Sequence, residues 1–190
     1  MKKFVQFVLS ALALLPACSC ARKAADPIAE AIVAAMMQDI DQTCEIVVEN
    51  LQKLDSTTFA TEFQRRIGIY DLRLNQNTAR MEKFIREGKS ANATRMFQTL
   101  QRDTRIYNEL NAMKESMGAD TLNTAYYDYS YTYSGKVGDR RIRTKTAYAT
   151  VTPGGRVLTF SAERKDLHKA SGLVIPGYRE LLDSVKEGAD

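Results

Sequence analysis

The chain has a single histidine, His168, in 190 residues. That excludes a metal site built on several histidines. It also confines any nucleophile–histidine pair to His168, and none of Ser161, Ser171 or Ser184 sits in a nucleophile-elbow motif. There are three cysteines, Cys18, Cys20 and Cys44, too few for a disulfide framework. A Gly-rich phosphate loop, a Cys-x-x-Cys pair and a His-Glu-x-x-His motif are all missing. Charge is nearly balanced, at +4, which is too mild to argue for a nucleic-acid partner. No apolar run reaches the roughly 20 residues that span a bilayer. His168 itself falls in the charged stretch Glu163–Lys169 and reads as a surface side chain.

What is present begins at the N-terminus. Met1-Lys2-Lys3 is basic, Phe4 to Leu15 is apolar apart from Gln6 and Ser10, and Leu15-Pro16-Ala17-Cys18 closes the run. A cationic start, a short apolar core and a small residue before a cleavage point are the parts of a secretory signal. The Leu-x-Ala-Cys ending resembles the lipobox of bacterial lipoproteins. That resemblance implies acylation of Cys18 on sulfur, removal of residues 1–17, and a further acyl chain on the new N-terminus. Two or more chains hold a protein firmly to a bilayer. Residues 18–25 then form a lipidated tether, with Arg22 and Lys23 beside anionic headgroups. Ser19 stands where enterobacterial lipoproteins of this kind carry Asp for inner-membrane retention. It therefore favours the outer membrane, facing the periplasm. Cleavage at Ser19-Cys20-Ala21, giving a free protein, and retention of the run as a span are the weaker alternatives.

Beyond the tether the pattern is α+β: three long antiparallel helices, a three-stranded antiparallel meander and a C-terminal helix. Asp26-Pro27 reads as a cap and first helical residue. Ile28, Ile32, Met36, Ile40, Val47, Leu51 and Leu54 keep a helical spacing, so the first helix is expected over 27–54, with Cys44 as a buried thiol on its stripe. A second helix from about Phe59 ends at Gly88, and a third from Ser90 ends at Gly118. Residues 26–118 thus read as a helical, coiled-coil-like region and 123–190 as a small sheet with its helix. The period changes to two at Ala125–Ser134. Gly138-Asp139 and Pro153-Gly154 are the turns, with strands to Val151 and over 156–162. The first turn sets Val137 opposite Arg140, Tyr133 opposite Thr144, Tyr131 opposite Thr146 and Tyr129 opposite Tyr148. The second sets Ala149 opposite Leu158 and Ala147 opposite Phe160. Tyr127, Tyr129, Tyr131, Tyr133 and Tyr148 then share one face. Ala147, Ala149, Val151, Leu158 and Phe160 share the other, where the helix after Pro176-Gly177 is expected to pack.

Two surfaces follow as candidates. The tyrosine face offers rigid rings with polar tips, for a glycan or protein partner; the competing reading is core packing. The hairpin tip carries Lys136, Arg140, Arg141, Arg143 and Lys145, suited to lipid phosphate, a phosphate-bearing polymer or an acidic partner; a solvated hairpin is the competing reading. No cofactor or metal is implied. The expected function is a membrane-anchored, non-enzymatic envelope binding or scaffold protein. Ligand or glycan binding through the tyrosines is the alternative. The remote alternative is an enzyme without histidine, built from Asp128, Tyr and Lys, which a deep pocket joining Asp128 with Lys145 or Arg143 would support.

Overall fold

The computed structural model describes residues 26–38, 44–169 and 171–187. Cys18 and the tether lie outside the described residues. The architecture is α+β, with one four-stranded antiparallel sheet in the order β1-β2-β3-β4. Helix α1 (Pro27–Met37) is capped by Asp26, whose carboxylate accepts from the Ile28 amide at 2.8 Å. Strand β1 (Cys44–Thr58) leads into helix α2 (Phe59–Arg86). Helix α3 (Ser90–Met117) follows, then β2 (Thr124–Val137), β3 (Arg140–Val151) and β4 (Val157–Ser161). Two 3-10 turns, Arg164–Lys169 and Ser171–Val174, lead to helix α4 (Tyr178–Glu187). Among the described residues no helix is long and apolar enough to cross a membrane.

The first expected helix is two elements. It stops at Met37, and Cys44–Thr58 is an edge strand, so Cys44 is not on a helical stripe. Ile46, Val47 and Val48 are β-branched and favour the strand. Register shifts at Glu49/Gln52 and Lys53/Asp55, with Asn50 at φ 51°, interrupt the alternation. The interrupted strand leaves Val47, Leu51 and Leu54 at spacings that imitate a helix. The sheet therefore draws its first strand from the region expected to be wholly helical, and among the described residues two long helices stand where three were expected.

The β2–β3 register begins as expected, with Val137 opposite Arg140 and Gly135 opposite Ile142. It then slips by one: Tyr133 faces Lys145, Tyr131 faces Ala147 and Tyr129 faces Ala149. Arg143 and Thr144 together oppose Ser134, a bulge that no turn rule reveals. A slip of one residue exchanges the faces. The tyrosine row therefore shares its side with Ala147, Ala149 and Val151, while Tyr148 goes to the opposite side with Ser130. On β4, Ala149 faces Phe160 in place of Leu158. Gly135 is required at the bulge, because a Cβ there would sit 2.0 Å from the Glu45 carbonyl oxygen.

Each side of the sheet has its own core. Helix α1 packs Ile32 against Tyr131, Ala147, Ala149 and Val151. On the other side, Phe63 and Tyr70 of α2 and Ile106 and Leu110 of α3 meet Tyr126 and the α4 residues Tyr178, Leu181 and Val185. The alanine patch is thus covered by α1, and α4 packs on the opposite core, contrary to the sequence expectation. Both long helices span about 42 Å at 1.5 Å per residue. Only the sheet-proximal parts of α2 and α3 join that core; Leu72, Ile85 and Phe97 further along are exposed.

Candidate functional site

The hairpin end of the sheet holds a groove of about 1090 Å³. Val47 of β1, Ser134 and Lys136 of β2, and Arg141 of β3 all point to it from one face, because Val47 pairs with Ser134 and Lys136 with Arg141. Arg143 reaches the same groove from the bulge. Ile142 also lines it, and Val47, 54% exposed, adds apolar surface beside the three cations. Glu45 is the one carboxylate in the lining. Lys136 Nζ is 4.0 Å from Asp139, the limit of an ion pair. The five hairpin cations do not all converge: Arg140 sits at the turn, and Lys145, paired with Tyr133, takes the tyrosine side.

The tyrosine row is divided between core and rim. Tyr131 is 1% exposed, and burial pushes its phenol up to about 12. Tyr129 and Tyr133 are half-buried against the same α1 core. Tyr127 lies edge-on to Tyr129, with Lys53 Nζ 3.5 Å from its ring centre. Tyr148 is half-buried on the other side. The five rings do not make one continuous face.

A buried polar cluster, absent from the sequence expectations, ties α2 and β2 to the C-terminal segment. Glu62 is 0% exposed. It accepts from Arg66 Nε at 2.6 Å, Arg65 Nη1 at 2.6 Å, the Tyr126 hydroxyl at 2.9 Å and Ser171 Oγ at 3.0 Å. Arg66 also donates to the His168 carbonyl and to Ser171 Oγ. Gly172 makes room for it, since a Cβ there would come within 2.6 Å of Arg66 Nε. His168 corrects the surface reading: its ring is half-buried, with Nδ1 3.2 Å from the Tyr126 hydroxyl and Nε2 3.6 Å from Asp128 Oδ2. Burial, then the Arg65 charge, holds His168 below the usual histidine range. Burial raises Asp128.

The structure brings Asp128 to His168 and opposite Thr150, while Lys145 pairs with Tyr133 further up the strand. The Asp128–Lys145 and Asp128–Arg143 sets of the enzyme alternative are not assembled. Glu62 and Arg66 left a readable signal: two opposite charges four apart, beside Phe63 and Ile67 on an otherwise apolar stripe. Among the described residues, no group of three or more His, Cys, Asp and Glu side chains is placed to hold a metal ion. No known family, curated protein or solved structure matches this chain.

Proposed function

We propose that the chain is a lipid-tethered, non-enzymatic envelope protein that holds a phosphate-bearing polymer in its hairpin groove. The observation that carries this reading is the groove itself: Lys136, Arg141 and Arg143 beside Val47 and Ile142. Arginine presents a planar fork suited to phosphate oxygens. A concave, three-strand-wide site suits a flexible chain better than a flat surface. The lipobox-like Leu15–Cys18 supports the tether, and Arg22 and Lys23 reinforce it electrostatically. The tyrosine row lends a glycan reading less support, because α1 packs on its centre.

The test uses long-chain polyphosphate as the probe, with calorimetry at two salt concentrations. Binding should weaken as salt rises, because the groove cations displace counterions. Replacing Lys136, Arg141 and Arg143 together by serine should weaken it by on the order of a hundredfold. All three side chains are exposed, so the fold should survive the change. Equal binding by the triple variant would remove the groove from the function.

A further inference from the structure

The Glu62 cluster is charge-balanced only while His168 is uncharged. Its two carboxylates, Glu62 and Asp128, face two guanidiniums, Arg65 and Arg66. The surrounding ring repeats the balance, with Asp55 on β1 and Arg164 on the 3-10 turn acting on Asp128. A proton on the imidazole therefore adds one net positive charge to a half-buried site that already holds Arg65 and Arg66. Asp128 is its nearest carboxylate, but 3.6 Å is too long for a strong hydrogen bond. Asp128 is itself poorly served: its Oδ1 and the adjacent Thr150 Oγ1 are buried without a hydrogen-bond partner among the described residues.

The hydrogen bonds point the same way. Tyr126 has one hydroxyl proton and two acceptors within reach, Glu62 Oε2 at 2.9 Å and His168 Nδ1 at 3.2 Å. Glu62 already receives Arg65, Arg66 and Ser171. The phenol can therefore turn to Nδ1 without stranding Glu62, provided Nδ1 carries no proton. The neutral ring with its proton on Nε2 then faces Asp128 on one side and accepts from Tyr126 on the other. The His168 backbone carries the load: its carbonyl accepts from Arg66, which also donates to Glu62.

We propose that His168 is an acid-sensitive latch, which holds Arg164–Val174 against β2 and α2 when uncharged and loosens that segment when protonated. The latch goes beyond the groove reading and does not depend on the tether. The sign follows from the direction of the shift. A histidine held below its ordinary value contributes stability above about pH 6.5, and that contribution is lost as pH falls through the folded-state value. Asp128, raised by burial, acts in the opposite sense, and a His168 variant separates the two.

Because there is one histidine, the imidazole resonances of the full chain report on it alone. Their titration midpoint should fall below about 6.5. Amide exchange of residues 164–174, corrected for its intrinsic pH dependence, should be about tenfold faster near pH 5.5 than near pH 7.5. His168→Gln, which cannot take the charge, should abolish the acceleration. A midpoint at or above the ordinary histidine value would overturn the latch even if the variant failed to fold. Acceleration that persists in a folded His168→Gln protein would overturn it too.

Discussion

Replacing Glu62 by alanine lowers folding stability by about 3–5 kcal/mol, the usual cost of removing one partner from a buried ion pair. The carboxylate is fully buried, accepts from Arg65, Arg66 and Ser171, and has the Tyr126 hydroxyl 2.9 Å away. Its loss leaves Arg66, 8% exposed, with a charge and no carboxylate to answer it. Tyr126 and Ser171 lose an acceptor in the same step. The cost lies in the orphaned groups more than in the attraction forgone. Arg65→Ala should cost no more than about 1 kcal/mol, because its side chain is 30% exposed and water can replace much of the contact. Urea unfolding followed by circular dichroism measures both changes, with an unchanged slope certifying the comparison. A Glu62→Ala midpoint matching the parent would mean that the clasp on the C-terminal segment holds nothing.

Tyr131→Ala should cost about 3–5 kcal/mol, as for other large buried aromatics cut to alanine. The ring is among the largest fully buried side chains and sits between Ile32 and the two alanines Ala147 and Ala149. Tyr131→Phe should cost no more than about 1 kcal/mol, since the only hydroxyl contact recorded among the described residues is Met36 Sδ at 3.8 Å. Tyr127→Ala, at the rim beside Lys53, should fall near the small end of the range for surface changes. A steep fall from Tyr131 to Tyr127 separates a packed row from a binding row. Equal small losses along the row, with loss of a glycan ligand, would favour the binding row instead.

Helices α2 and α3 were readable because their apolar stripes are long and local, and because Gly88 and Gly118, both at positive φ, close them. Strand β1 was hidden because its bulges near Asn50 and Asp55 broke the alternation that marks a strand. The tyrosine register failed for a related reason. A turn sets the first pairs, but the extra residue at Arg143-Thr144 changes every pair after it. The hairpin cations were legible because they lie within ten consecutive residues. The Glu62 cluster was not, because residues 62, 126, 128, 168 and 171 meet only through tertiary packing. His168 looked solvated because its sequence neighbours are charged. Its ring turns away from them, toward Tyr126 and Asp128.

Mass spectrometry of the N-terminal peptide, taken from protein extracted from cell membranes, decides the tether. The peptide should begin at Cys18, carry a diacylglyceryl group on its sulfur and be acylated at its amine. Membrane association should be lost in Cys18→Ala. A mature chain that begins at Ala21, or that keeps residues 1–17 with an unmodified Cys18, would contradict the proposed anchorage.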